Sequence, residues 1–220
     1  IVVAMGYSRQ GVALGLAMLG IVALIRSKKL KFVVMILIAT SIHKSAFLLL
    51  PIAVLAATKN RFLIFLAFSI LIGFIYSLFL SSAYESLIKN YIDSQYASQG
   101  AFIRLFMNAV PAIIFLIWRH RFNFHKHEEP LWVIFSYISL LLLFALYFTN
   151  ASTALDRIGL YMLPLQLVIF SRLPEIFRTS GYVNQWIVIG ILVYYSLVLF
   201  VWLNFATHAG LWLPYKNFAF

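Results

Sequence analysis

The chain has 220 residues, of which 64% are hydrophobic and 10% are charged, and its mean hydropathy is +0.97. Soluble globular domains are about 45–50% apolar and about 25% charged, so these values exclude a soluble domain with one core. The net charge of +11 resides mostly in short connectors between apolar runs, which is typical of the positive-inside rule and not of nucleic-acid binding. We therefore predict a polytopic membrane protein that binds no nucleic acid.

Two further features bear on the extent of the chain and on its chemistry. The chain opens on Ile1, without an initiator Met or a basic leader. We therefore expect residues 1–220 to form a single transmembrane domain that is the C-terminal part of a longer membrane protein. The absence of cysteine from the chain excludes disulfides, thiolate metal sites and thiol nucleophiles.

Seven apolar runs follow one another, and most are close to the ~20 residues that a helix needs to cross a bilayer. The runs are Gly11–Ile25, Phe32–Ala57, Phe62–Leu80, Phe102–Trp118, Leu131–Phe148, Ile158–Ser171 and Trp186–Ala206. Their ends carry tryptophans, as an interfacial aromatic belt does: Trp118, Trp132, Trp186 and Trp202. The pattern predicts an all-α fold, a polytopic transmembrane helix bundle with about six full spans plus one re-entrant helical hairpin.

The run Phe32–Ala57 is assigned to the hairpin because His43 and Lys44 stand at its centre. A charged pair is costly in hydrocarbon, so it either lines a cavity inside the protein or marks a turn. If the run is a single span, the Lys and Arg residues of the connectors divide 8 against 8 between the two sides. If residues 32–57 form a hairpin, they divide 11 against 5, which restores the expected asymmetry with the basic side in the cytoplasm.

Helix geometry then places three basic side chains in the outer half of the membrane. His43 lies roughly 18 Å from the basic connector before its run, within a hydrocarbon core about 30 Å thick. Arg9 and Arg157 lie roughly 25 Å and 22 Å from the basic connectors that follow their runs. Two interpretations are open: either the arginines extend to the outer headgroups, or they line a cavity that is open to the outside and binds a phosphate.

Four polar residues are candidates for chemistry around such a cavity. His43 is the best candidate for a general base, the alternative being a hydrogen-bonded structural histidine. Lys44 either binds phosphate or extends to the membrane surface. Asp156 either neutralises Arg157 or serves as a catalytic carboxylate, and Tyr161 shares a helix face with Arg157 one turn on.

Other patterns are interpreted as structural. The motif Gly11-x-x-x-Gly15, with Ala13 and Ala17 nearby, predicts close helix packing behind Arg9. The connector between Trp118 and Leu131 carries three histidines, but no carboxylate pattern or defined spacing accompanies them, so we predict a solvated loop and no metal site. These histidines are His120, His125 and His127. No nucleotide-binding motif occurs either, and no cofactor is implied.

Four short motifs together resemble the EpsG family. They are Gly6-Tyr7-Ser8-Arg9-Gln10-Gly11 entering a span, Ile42-His43-Lys44-Ser45-Ala46 between two half-length apolar runs, Asp156-Arg157-Ile158-Gly159-Leu160-Tyr161 opening a short span, and the late Pro214-Tyr215. The resemblance covers nearly the whole chain. The family comprises Wzy-type bacterial polymerases of exopolysaccharide, capsule and O-antigen synthesis.

The resemblance implies a membrane glycosyltransferase in the bacterial inner membrane with its active site facing outside. It implies transfer of a growing glycan from undecaprenyl diphosphate onto the next lipid-linked oligosaccharide repeat unit, without a metal. A chain-length regulator and a flippase of the same pathway are the protein partners that it suggests.

The roles carried over by the resemblance fall into two groups. As catalytic residues, Arg9 and Arg157 would hold the carrier diphosphate and stabilise it as the leaving group, while His43 would deprotonate the acceptor hydroxyl. As substrate-binding residues, five others would support them: Gln10, Lys44, Asp156, Tyr161 and Tyr215. Asp156 is also the alternative to His43 as base.

Two other functions remain compatible with the residues. A polysaccharide or lipid-linked sugar transporter, such as a flippase, also has many spans and a polar cavity, but it is expected to show a repeat between its halves, and none is visible. A membrane acyltransferase could use His43, but its donor would more naturally approach from the cytoplasm.

Overall fold

The computed structural model describes residues 8–52, 60, 62–63, 66, 69–70, 73, 100–126, 128–148, 152–178 and 181–205. Within these ranges the regular structure is helical, as predicted. The α-helices are α1 Ser8–Ile25, α2 Lys29–Ile42, α3 Ala101–Trp118, α4 Glu129–Ala145, α5 Ser152–Gly159, α6 Leu163–Ile176 and α7 Gln185–Phe205. Short 3-10 helices lie between some of them, at Lys44–Leu48, Arg119–Arg121 and Leu160–Met162.

Among the described residues, four helical stretches are long and apolar enough to cross a membrane. They are Ser8–Ile25, Ala101–Arg121, Ser152–Ile176 and Gln185–Phe205. The shorter apolar helix α4 stands between the second and third of them. Large apolar side chains such as Leu19, Phe106 and Leu192 are exposed on these helices, as expected of surfaces that face lipid. The predicted all-α membrane bundle is therefore confirmed, while most of the predicted run Phe62–Leu80 lies outside the described residues.

Helices α1 and α2 form an antiparallel hairpin joined by a tight turn. Ser27 adopts a positive φ of 60°, and the backbone N–H of Lys28 bonds the carbonyl of Ala23 at 2.8 Å, closing the end of α1. Ala13 and Ala17 are fully buried, as the small-residue motif predicts. Gly15 is exposed, and a Cβ added to it would meet no atom within 4 Å, so its part in the packing motif was predicted wrongly. The glycine of α1 that closely approaches α2 is Gly20, which faces Ile36.

The remaining helices pack around α3. Helix α4 runs along one side of α3, and α5 and α6 cover another. Their shared core is aromatic and branched, with Phe115, Phe135, Leu165 and Ile169 almost completely buried. Helix α7 joins this group through α6, where Tyr195 packs edge-on against Phe170.

The predicted interruption at His43 is present. Helix α2 ends at Ile42, His43 is extended with φ −146° and ψ 112°, and a 3-10 turn follows before helical structure resumes over 49–52. The hydroxyls of Thr40 and Ser41 bond the carbonyls of Ile36 and Ile38 in the last turn of α2, and such bonds compete with the helix ladder. The last part of the predicted hairpin, 53–57, lies outside the described residues, so the re-entrant course stays a prediction.

The loop that follows α3 is less exposed to solvent than predicted. His120 and His125 are exposed as expected, but Phe122 and Glu128 are buried. Glu128 accepts hydrogen bonds from the Trp132 indole at 3.0 Å and from Arg172 at 3.2 Å. Paired in this way, the Glu128 carboxylate can be buried. Trp132 is 1% exposed, so it belongs to this cluster and not to an interfacial belt.

Gly159, at the end of α5, provides a test of the packing. A Cβ at this position would lie 2.5 Å from the Leu105 Cδ2 atom of α3. We expect Gly159→Ala to lower the free energy of unfolding by about 1–3 kcal/mol, the usual cost of overpacking. Thermal unfolding of the purified protein in detergent measures this loss. The matched control is Gly15→Ala, where the added methyl meets nothing within 4 Å; equal midpoints for the two variants would refute the close approach.

Candidate active site

The candidate site lies where the α1–α2 hairpin meets the helices around α3. The start of α1, the end of α2, the first turn of α3 and the whole of α5 lie at the same end of the molecule. They bring together His43 with Tyr161, Gln10 with Arg157, and Arg104 with Asp156. Residues separated by more than 100 positions thus lie in one polar cluster, which also includes Arg104, a residue that was not among those predicted to converge.

The imidazole of His43 is held at one of its two ring nitrogens. Its Nδ1 atom lies 2.6 Å from the Ser45 Oγ and 3.3 Å from the Tyr161 hydroxyl. Tyr161 is 1% exposed, so its position is fixed by packing. Within the described part of the chain, the Nε2 atom has no hydrogen-bond partner.

This arrangement is suitable for a base. If Nδ1–H donates to the Ser45 Oγ, then Nε2 carries the lone pair that can accept a proton from a substrate hydroxyl. The half-exposed position of His43 leaves room for a substrate to approach the ring. Ser45 was not among the predicted site residues, although its position two residues after the histidine in a polar motif was a signal for it.

Arg157 is exposed on α5 and lies within electrostatic range of the His43 ring. Its backbone carbonyl accepts a hydrogen bond of 2.7 Å from the Gln10 side-chain amide. Gln10 is 2% exposed, so the structure gives it a connecting role between α1 and α5. Arg9, next to it, is exposed. Arg9 of α1 and Arg157 of α5 therefore both lie next to the contact between these two helices.

Asp156 pairs with Arg104 of α3. The carboxylate accepts two hydrogen bonds, from Nε at 2.5 Å and from Nη2 at 2.6 Å, and Asp156 is 2% exposed. The structure thus gives Asp156 a bidentate partner in Arg104, a pairing that was not predicted from the sequence. From the sequence, Arg104 was counted only among the charged residues of the connectors. Its position two residues inside the apolar run Phe102–Trp118 was a signal that it could have a partner within the protein.

A second set of buried polar side chains lies behind the cluster. The Asn108 amide donates to the Gly159 carbonyl at 2.7 Å, Gln166 donates to Asn108 at 2.6 Å, and the Tyr195 hydroxyl donates to Gln166 at 3.0 Å. This chain of bonds joins α3, α5, α6 and α7. It supports the backbone of α5 next to Arg157 and Tyr161. Asn108 was not predicted as a site residue. A single amide side chain inside an apolar run was nevertheless a signal, because a buried amide needs a hydrogen-bond partner.

The other two predicted residues are Lys44 and Tyr215. Lys44 is exposed at the tip of the interrupted helix, next to His43. Tyr215 lies outside the described residues, as do Gly6 and Tyr7 of the first motif. In the described ranges no group of three or more His, Asp or Glu residues could hold a metal ion.

The charge at this end of the molecule favours an anion. At this end, the described side chains include one carboxylate, which is paired, and four cationic Lys or Arg side chains. The cations are Arg9, Lys44, Arg104 and Arg157. Fixed guanidinium groups bind a phosphate through charge-assisted hydrogen bonds, which are stronger than neutral ones.

The sequence model of the EpsG family matches residues 1–217, nearly the whole chain. No curated protein and no solved structure matches.

Proposed function

Because the chain belongs to the EpsG family, a Wzy-like family of polysaccharide polymerases, we propose that it joins oligosaccharide repeat units carried on undecaprenyl diphosphate into a surface polysaccharide. The apolar helices and the family assign the chain to membrane polysaccharide biosynthesis. The observation that carries the proposal is the placement of a partly exposed histidine, held at Nδ1, within electrostatic range of an exposed arginine.

In the proposed reaction, a hydroxyl of the acceptor repeat unit attacks the anomeric carbon of the donor glycan. The new glycosidic C–O bond forms as the C–O bond to the carrier diphosphate breaks, and the diphosphate leaves with the electron pair. The hydroxyl proton passes to the Nε2 atom of His43 and later to solvent. The reaction balances without an oxidant, a nucleotide or a further reactant.

The arginines have the complementary task. Negative charge develops on the leaving diphosphate, and cations held in place beforehand stabilise this charge without reorganising. Arg157 is the principal candidate because its backbone is fixed by Gln10 and its side chain is exposed. Arg9 is the second, and Lys44 and Tyr215 are proposed as further contacts to the substrate. Tyr161 and Ser45 orient His43.

We propose that this site opens to the outside of the inner membrane. The end of the bundle remote from the site carries most of the described positive charge, as the cytoplasmic side of a membrane protein does. These residues are Arg26, Lys28, Lys29, Lys31, Arg119, Arg121, Lys126, Arg172 and Arg178. A flippase of the same pathway would then supply the lipid-linked units from the cytoplasm.

The orientation is open to a labelling test because the chain contains no cysteine. Ser8→Cys places a thiol at the site end of α1, and His120→Cys places one at the basic end; both positions are exposed. In spheroplasts, a membrane-impermeant maleimide is expected to label Ser8→Cys at once and His120→Cys only after lysis. Immediate labelling of His120→Cys with protection of Ser8→Cys would reverse the proposed topology.

The proposed activity is tested with the full-length protein, purified in detergent and supplied with a synthetic undecaprenyl-diphosphate oligosaccharide repeat unit of its host. We expect a ladder of glycans that differ by one repeat unit, separated on a gel. The same protein in proteoliposomes tests the alternative. If labelled lipid-linked repeat units cross the bilayer and no ladder forms, the protein is a transporter and the polymerase proposal fails.

A further inference from the structure

We propose that a groove on the α1–α2 hairpin, at the basic end of the bundle, binds an anionic phospholipid. Its phosphate lies against Arg26, Lys28 and Lys31, and the first carbons of an acyl chain lie along Leu19 and Val22. The candidate active site stands at the start of α1, whereas this groove lies where α1 ends and α2 begins. The inference therefore goes beyond the proposed function and does not depend on it.

The groove is formed by one face of each helix of the hairpin. Its lining residues follow one another at intervals of three, four or seven along each helix, which places them on a common face. They are Leu19, Val22, Ala23 and Arg26 on the side of α1, Lys28 in the turn, and Lys31 and Met35 on α2. Ala23 is buried while Leu19 and Val22 are exposed, so the smallest of these side chains lies deepest and leaves room beside it.

The lining changes from cationic to apolar along both helices. Arg26 and Lys28 stand at the turn and Lys31 lies one turn into α2, and all three side chains are exposed. Leu19 precedes Arg26 by seven residues, which is about 10 Å further along the helix and toward the bilayer centre. A phospholipid has the same order, with its phosphate at the membrane surface and its acyl chains inside.

Helix electrostatics add to the positive potential at the turn. Helix α2 begins at Lys29, immediately after Lys28, and Lys31 lies in its first turn. The start of a helix carries about half a positive charge, so lysines placed there are disfavoured unless an anion is near. The basic residues Arg119–Arg121 follow the end of α3, where the helix dipole favours cations. The hairpin turn therefore gains more from an anion than the loop after α3 does.

The size and position of the groove favour part of a lipid over a whole small molecule. Its volume of about 200 Å³ is below the roughly 300–1,000 Å³ of pockets that enclose a small-molecule ligand. A lipid needs less, since the rest of the molecule stays in the surrounding bilayer. A basic pocket between two membrane helices at the bilayer surface is the kind of site that binds an anionic headgroup.

The test is a titration of the purified full-length protein, in zwitterionic detergent, with phosphatidylglycerol labelled on its acyl chain. Phosphatidylcholine with the same label is the lipid without net charge. We expect phosphatidylglycerol to bind at least about tenfold more tightly, because each lysine or arginine near the surface contributes about fivefold to the attraction. Arg26→Gln/Lys28→Gln/Lys31→Gln is expected to abolish this preference. Equal affinity of the wild type for both lipids would overturn the inference.

A matched variant separates this site from a general attraction to positive charge. Arg121→Gln/Lys126→Gln/Arg178→Gln removes the same net charge from exposed positions at the same end of the bundle. We expect it to keep its affinity for phosphatidylglycerol within about threefold of the wild type, because charges outside the groove are screened by salt. Equal losses in the two triple variants would mean that the lipid has no defined site, and the inference would fail.

Two further measurements test the apolar part of the site. Val22→Trp fills the groove without changing any charge and is expected to weaken phosphatidylglycerol binding several-fold. Leu37→Trp, at an exposed position of α2 outside the groove, is expected to leave it unchanged. Equal binding by these two variants would contradict an acyl chain in the groove. Displacement of the labelled lipid by inorganic phosphate would make the groove a phosphate site and overturn the lipid assignment.

The outcome is independent of the proposed polymerase activity. Thermal unfolding in phosphatidylcholine shows whether each variant is folded, and if the groove triple variant is not, Val22→Trp and Leu37→Trp decide the question. A protein that binds phosphatidylglycerol in this groove but forms no glycan ladder would contradict the proposed function alone. A protein that forms the ladder without any preference for phosphatidylglycerol would contradict this inference alone.

Discussion

Replacing His43 by Ala is expected to lower kcat for polymerisation by about a hundredfold to ten-thousandfold, the range that a positioned general base contributes. The KM for the lipid-linked repeat unit is expected to change much less, since the imidazole accepts a proton in the transition state and carries no charge that holds the diphosphate in the ground state. Initial rates of ladder formation at several substrate concentrations give both constants. The control is His120→Ala in the exposed loop at the other end of the bundle, which is expected to retain wild-type rates.

Two results would contradict the assignment of His43. A variant that keeps its rate but binds substrate weakly would make the histidine a binding residue. A variant that loses activity together with its thermal stability would make it a structural one. Ser45→Ala adds a finer test, because Ser45 contacts Nδ1 at 2.6 Å. Losing this orienting partner is expected to cost about tenfold in kcat while the protein stays folded, well below the loss in His43→Ala.

Replacing Arg157 by Ala is expected to lower kcat by about a hundredfold to a thousandfold, the loss seen when one preorganised group that stabilises developing charge is removed. The KM is expected to rise as well, since the same guanidinium binds the diphosphate before reaction. Arg157→Lys keeps the charge without the planar fork and is expected to recover only part of the rate.

The matched control for Arg157 is Arg178→Ala, which removes an exposed arginine close after α6, at the basic end of the same helical stretch. It leaves the site end unchanged and is expected to polymerise at the wild-type rate. Equal losses in Arg157→Ala and Arg178→Ala would mean that net positive charge, and not a placed guanidinium, governs the activity.

The long apolar runs predicted most of the described helices to within a few residues. Such runs have one stable arrangement in a bilayer, because every backbone N–H and C=O must be bonded within the helix. The break at His43 was predicted for a related reason, since charged side chains at that depth mark a turn or a cavity. The distances from the basic connectors brought Arg9, His43 and Arg157 to the same end, where the structure also has them.

The pairing of side chains could not be predicted in the same way. Asp156 and Arg157 are neighbours in the sequence, but successive helical residues point in different directions, and the carboxylate is bound by Arg104 from 52 residues away. The error over Gly15 has a similar origin, because the spacing of small residues does not say which helix face meets the partner. Both depend on how the helices are rotated against one another, which is a property of the packed bundle.

The most direct measurement of the central claim is the amount of undecaprenyl diphosphate released for each glycosidic bond formed by the full-length protein. The proposed mechanism predicts one carrier released for each repeat unit added, and neither product with His43→Ala or Arg157→Ala beyond a trace. Bond formation without release of the diphosphate carrier, or full release by these variants, would contradict an active site built from this histidine and this arginine.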